Sequence, residues 1–192
     1  MTLALPAAPE PAPRRQALVA TTLACVAGTM LIGGMLAIYV LFRQRAVDAG
    51  ERFPGTAVIP EVPSNVMLIT IATLCVFAQW AVYAARRRDR LNTGLALSLV
   101  AVLGVAFINA QAFVYVRMDV AVTDGAYPVL FYSITGMIVA LAAAGLVFTA
   151  VAAFRFLGGR AGDSELISAN ALYWYFLTAA FTAVWFVVYV TK

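Results

Sequence analysis

Histidine is absent from the 192 residues, and cysteine occurs only twice, at Cys25 and Cys75. Haem iron and membrane copper are held largely by imidazole, and clusters of soft metals by closely spaced thiolates. With no imidazole, and two thiols in separate apolar runs without CxxC spacing, no haem, copper or other metal site is expected in this chain. Charge is also scarce. Only 11% of residues are Asp, Glu, Lys or Arg, and every one of them falls in a tail, a loop or at a helix end. Ionisable groups inside a membrane mark proton and ion pathways, so their absence argues against a pump or a transporter. The methionines Met30, Met35, Met67 and Met137 stand on apolar runs and read as gap-filling thioethers rather than metal ligands.

What the chain has instead is apolar length. Hydrophobic residues make up 64% of it, far above a soluble domain, which identifies an integral membrane protein. Five charge-free runs, 16–42, 62–85, 91–116, 126–154 and 166–191, each reach or exceed the roughly 20 residues that span a bilayer core. An all-α, polytopic five-helix transmembrane bundle is therefore expected, occupying residues 16–192 with no room for a soluble domain. Residues 1–15 contain four prolines and no apolar periodicity, which predicts a disordered tail. Arg14 and Arg15 followed by an apolar run resemble a signal sequence with Cys25 as a lipid site, yet the run is longer than a cleavable core of about 7–15 residues. A retained span is the expectation.

Basic residues set the topology, because short loops rich in Arg and Lys stay in the cytoplasm. The tail, second loop and fourth loop hold Arg14, Arg15, Arg86, Arg87, Arg88, Arg90, Arg155 and Arg160; the other side holds Arg43, Arg45, Arg52, Arg117 and Lys192. This places the N-terminus inside and the C-terminus outside. The cluster at 86–90 serves as a topology determinant, and it also suits anionic lipid headgroups.

Two amides, Asn109 and Gln111, lie deep in the third run, so both are expected to face other helices, which makes this helix the expected hub of the bundle. Gln79, Asn170 and Tyr115 are further polar groups within the spans, suited to a wet path or to interhelical hydrogen bonds. Gly136, Ala140 and Ala144 on the fourth helix, and Ala24 with Gly28 on the first, read as close-packing stripes. Residues 44–61 form the longest connection and are expected to be irregular and exposed; the other loops are short, so successive helices are expected to be antiparallel neighbours.

From Thr29 onward the chain resembles the five-helix bacterial form of subunit III of haem-copper respiratory oxidases, the cytochrome c oxidase type. The similarity is carried by MLIGGMLAIYVLFR at 30–43, PEVPSNVMLI at 60–69 with Trp80 further along that helix, FINAQAFVY at 107–115, FYSITGM at 131–137 and ALYWYF at 171–176. Five segments in the family's order and spacing make the resemblance specific. The departures fall on ionisable positions. Gly28 and Val114 stand where the family has glutamates, Ile138, Leu141 and Tyr175 where it has histidines, and Thr178 where it has an aspartate; Val82 and Tyr83 replace a common histidine pair. The family is associated with proton uptake and with lipids held in a cleft near an oxygen entry route. Only the lipid and packing roles are compatible with these replacements.

The resemblance implies a divergent, non-catalytic subunit of a terminal oxidase in a bacterial plasma membrane. It would have no cofactor of its own, with haem and copper in a partner, catalytic subunit I. Further partners would be other oxidase subunits and phospholipid, and no nucleic acid. Expected contacts with lipid or neighbouring subunits are Trp80, Arg86, Arg87, Arg88, Gln111, Tyr115, Tyr173, Trp174 and Tyr175, since aromatics with polar tips suit an interface. Packing inside the bundle explains Gln111 and Tyr173 equally well. An accessory subunit of a nitric oxide reductase or another membrane metalloenzyme, and a free-standing small transporter, are the alternative readings.

Overall fold

A computed structural model describes residues 15–51, 53, 61–118, 120–123, 125–159 and 164–190. Most of the expected tail, and Arg52, Arg160 and Lys192, lie outside them. Five helices emerge: α1 Gln16–Asp48, α2 Glu61–Arg86, α3 Arg90–Met118, α4 Ala126–Leu157 and α5 Ser164–Val184, the last continuing as a π-helical turn, Trp185–Val190. All five are long and apolar enough to cross a membrane. With the π turn counted in α5, the shortest is α2, which has 26 residues, about 39 Å at about 1.5 Å per residue. That exceeds a hydrocarbon core of about 30 Å, so each helix ends among headgroups.

The helices outrun the apolar runs because strong helix formers flank them. Arg43, Gln44, Arg45 and Ala46 carry α1 into residues expected to be irregular. It stops only at a Schellman turn, where Gly50 takes φ +76, its N–H donates to Val47 O (2.9 Å), and the Glu51 N–H donates to Ala46 O (2.9 Å). The same motif ends α2, but with Arg88 in the left-handed position, φ +59. There the Arg88 N–H donates to Ala85 O at 3.0 Å and the Asp89 N–H to Ala84 O at 3.1 Å. Asp89 then caps α3 directly, its Oδ1 accepting the Asn92 N–H (3.1 Å) and its Oδ2 accepting from the Asn92 side-chain amide (2.5 Å). The two helices are thus joined by a turn of three residues, Arg87, Arg88 and Asp89. The first turn of α1 lacks a side-chain cap of its own, and Glu165 of α5 supplies one: its Oε1 accepts the Leu18 N–H at 3.1 Å.

The hub is α5, not α3. α5 packs on α1, α2 and α4, whereas α3 packs on α2 and α4. Phe181 of α5 also meets Phe107 of α3 edge-on, with ring centroids 4.9 Å apart. The expected neighbour pattern holds from α2 to α5 and fails at the start: α1 and α2 share no packed interface among the described residues, and α1 lies against α5 and α4 instead. The long connection between α1 and α2 permits this, whereas the tight turn at Arg88–Asp89 forces α3 back along α2.

Candidate functional site

The centre of the bundle is a socket around Trp174. This indole is fully buried, and its Nε1–H donates to Thr149 Oγ1 at 2.9 Å. The same hydroxyl accepts from the Asn170 side-chain Nδ2 at 3.0 Å and donates its one hydrogen to its own helix at Gly145 O (2.8 Å). Two glycines make the room. A Cβ on Gly104 would approach Leu146 to 2.7 Å and Trp174 to 3.1 Å, and one on Gly145 would approach Tyr173 to 2.9 Å and Trp174 to 3.1 Å. Beside them the Tyr173 hydroxyl donates to Leu141 O at 2.8 Å. Neither Trp174 nor the tip of Tyr173 faces outward, so their contacts are internal. The glycines of this socket and Thr149 carry no mark in the sequence that separates them from any other small residue in an apolar helix.

A second aromatic cluster closes the end of the bundle to which Arg117 belongs. Tyr39 and Phe53 meet edge-on at 5.1 Å, Phe53 and Tyr127 at 5.4 Å, and Tyr127, Phe131 and Tyr189 continue the chain of rings. Gln111 is buried here, its Oε1 accepting from the Tyr189 hydroxyl at 3.3 Å, while Tyr115 donates to Thr135 Oγ1 at 2.8 Å. Gln111 is thus enclosed within the bundle, at 1% exposure.

The remaining expected contact residues do reach the surface, and they fall together. On the outer side of α2 and α5 the Tyr175 hydroxyl donates to Gln79 Oε1 at 2.7 Å. Trp80 and Tyr83 are exposed next to this pair, and the Arg87 guanidinium lies over the Tyr83 ring at 4.3 Å. Arg86 and Arg88 are exposed at the same helix end. This is a band of amphipathic rings ending in cations, the arrangement that suits a headgroup boundary.

Other expectations are corrected. Asn109 is exposed on the outside of α3 rather than turned inward. With Gln79 also outside, Asn170 in the Trp174 socket, and Gln111 and Tyr115 in the other aromatic cluster, these groups do not line one path. The stripe on α4 faces out: Ala140 and Ala144 are exposed, and a Cβ on Gly136 would meet nothing within 4 Å. Its close-packing residue is Gly145. On α1, Ala24 is exposed, while Gly28 is a true contact, its added Cβ falling 2.6 Å from the Phe176 ring.

Among the described residues no three His, Cys, Asp or Glu side chains gather where a metal ion would sit. Cys75 is engaged with the Thr178 hydroxyl at 3.0 Å. Of the positions where the resemblance implies glutamate or histidine, Val114, Ile138 and Val82 are buried in the core, whereas Tyr83 and Tyr175 are exposed.

The sequence profile described as Cytochrome c oxidase subunit III matches residues 19–192. The chain belongs to the cytochrome c oxidase subunit III family. A probable cytochrome c oxidase subunit 3 of Rickettsia bellii is 30% identical over 139 residues, 69% of this chain and 48% of the relative. The cytochrome c oxidase subunit 3 of Drosophila yakuba is 26% identical over 151 residues, 76% of this chain and 56% of that protein. The one from Corynebacterium diphtheriae is 24% identical over 165 residues, covering 83% of this chain and 80% of its own length. The chain thus spans about half the length of the Rickettsia and Drosophila relatives and most of the Corynebacterium one. This subunit III family member keeps five spans and holds its interior together with glycine, aromatic rings and hydroxyls rather than with charge.

Proposed function

We propose that this chain is a non-catalytic subunit of a respiratory haem-copper terminal oxidase in a bacterial plasma membrane. It stabilises the catalytic subunit I, which would carry the haem and copper, and shapes the lipid around it. The carrying observation is the family match over residues 19–192 in a chain with no histidine. Its own residues do not fit a haem or a copper ion, so oxygen chemistry belongs to the partner. The band of Trp80, Tyr83, Tyr175 and Arg87 supports a lipid role, because it pairs ring faces with cations at one membrane boundary. Orientation follows from the same arginines: the end carrying Arg86, Arg87, Arg88 and Arg90 is cytoplasmic, which puts the N-terminus inside.

The test is to tag the chain in its own cell, solubilise it gently, and record the visible spectrum and the co-purifying subunits. A haem spectrum with a large histidine-bearing subunit is expected. A colourless protein that purifies alone overturns the proposal. Reporter fusions at both ends check the orientation independently of the partner.

A further inference from the structure

The amides of Gln79, Asn65 and Asn170 pair with Tyr175, Trp185 and Thr149 respectively, and Gln111 accepts from Tyr189 at Oε1 while its Nε2 is enclosed in the bundle. Asn109 is different. It is exposed on α3 and makes no hydrogen bond to any described residue. Its depth follows from helix geometry. α3 has 29 residues, so it runs about 43 Å against a hydrocarbon core of about 30 Å. Asn109 lies about 13 Å from the Met118 end, and hence about 7 Å inside the hydrocarbon. The short side chain of asparagine does not span that distance to reach water, and lipid tails offer it no donor or acceptor.

The surroundings of Asn109 form a helix-sized strip. Val102, Val105, Phe113 and Val116 are all exposed, and with Asn109 they repeat at the three- and four-residue spacing that puts side chains on one helical face. The Arg117 guanidinium lies over the Phe113 ring at 5.1 Å, which fixes a cation at the membrane-boundary end of the strip. We infer that this face of α3 docks a transmembrane helix of a different polypeptide, which presents a hydrogen-bonding side chain to Asn109 and an acidic residue toward Arg117. A second copy of this chain is the poorer occupant. Symmetric pairing along the strip would let the two Asn109 amides meet but would also bring the two Arg117 cations together. The inference rests on the reading of this chain as a subunit of a complex, and adds the surface by which it is held.

The full-length tagged chain is tested in its own membrane with a benzophenone side chain at position 105 in place of Val105. Light should join it to one subunit of the purified complex. The cross-linked peptide should lie in a transmembrane segment with Ser, Thr, Asn or Gln at the depth of Asn109. In parallel, Asn109→Leu should lower the partner recovered per tagged chain by about three- to tenfold, the range of an interhelical hydrogen bond, and Asn109→Gln should restore it. Thermal unfolding of the isolated chain should not change in Asn109→Leu, because Asn109 makes no internal bond. Cross-linking to a second copy, or unchanged recovery of partner with Asn109→Leu, overturns the inference. A complex that keeps its haem while position 105 cross-links only to lipid overturns this face and leaves the oxidase reading standing. A colourless chain with no cross-linked partner overturns both.

Discussion

α1 and α5 are both long, apolar and uncharged along their spans, yet they do different work. α1 has 33 residues, of which Thr21, Ile32 and Tyr39 are buried. α5, at 21 residues, buries Ile167, Ala169, Asn170, Ala171, Trp174, Leu177, Phe181 and Val184, and touches three other helices. The apolar surface of α1 answers to lipid, which accepts any apolar side chain. That of α5 answers to shape, because each group meets a specific neighbour. Hydrophobicity alone does not distinguish the two.

The sharpest break of this comparison is Trp174→Ala. It empties the largest fully buried side chain and leaves Thr149 without its indole donor. The expected loss is about 3–5 kcal/mol, seen as a large drop in the thermal midpoint of the purified chain in mild detergent. Leu31→Ala on the outer side of α1 should change the midpoint by less than about 0.5 kcal/mol equivalent. Equal losses from the two would end the distinction.

Glycines test the same contrast by addition. Gly104→Val pushes new atoms into Leu146 and Trp174 and should cost about 1–3 kcal/mol. Gly33→Ala on α1, where an added Cβ meets nothing within 4 Å, should cost nothing. Unfolding of both variants beside the parent in the same detergent gives the answer. A Gly104→Val chain as stable as the parent would mean that the Trp174 socket is looser than its contacts indicate.

These two tests also mark what the sequence makes legible. Five spans could be read from run length, because bilayer thickness is a one-dimensional constraint. Family membership could be read from motifs in order. The hub could not. Asn109 and Gln111 look alike in the chain, and only helix rotation turns Gln111 toward Tyr189 and leaves Asn109 outside. Trp174 looked like an interface residue because tryptophan is common there, but its socket is made by Gly104, Gly145 and Thr149, each distant in sequence and plain in composition. The stripe Gly136, Ala140, Ala144 has the right spacing for close packing, but spacing does not say which face of α4 its neighbours take. The surface band at Trp80, Tyr175 and Arg87 was more legible, since amphipathic rings and cations mark a boundary wherever the helix points.

A smaller effect separates structure from function at Arg88, one of the expected contact residues. A left-handed backbone costs a residue with a Cβ about 1–2 kcal/mol, and Arg88 sits at φ +59. Arg88→Gly should therefore raise the stability of the isolated chain by about 1 kcal/mol. If it also lowers retention of anionic phospholipid during purification, arginine stands there for its charge and against its backbone preference. A variant that is more stable and retains the same lipid would assign the lipid role to Arg86 and Arg87 alone.

The smallest expected effect is a pH dependence confined to the α2–α3 junction. The Asp89 carboxyl is held below its ordinary value of 3.8, first by the hydrogen bond from the Asn92 side-chain amide and then by that from the Asn92 backbone N–H. A carboxyl depressed by folding stabilises the folded form fully above its unfolded value and loses that contribution as pH falls through the folded one. The cap should thus be constant from pH 5 to pH 8 and weaken only below about 4. Amide hydrogen exchange at Asn92 and Thr93, corrected for the intrinsic pH dependence of exchange, should show this step while residues in the middle of α3 stay flat. In Asp89→Asn the step should vanish, because a neutral amide accepts the same backbone hydrogen bond at every pH. A step at or above the ordinary carboxyl value would mean that the Asn92 bonds do not hold the charged form, and that the turn at Arg88 alone sets the angle at which α3 returns along α2.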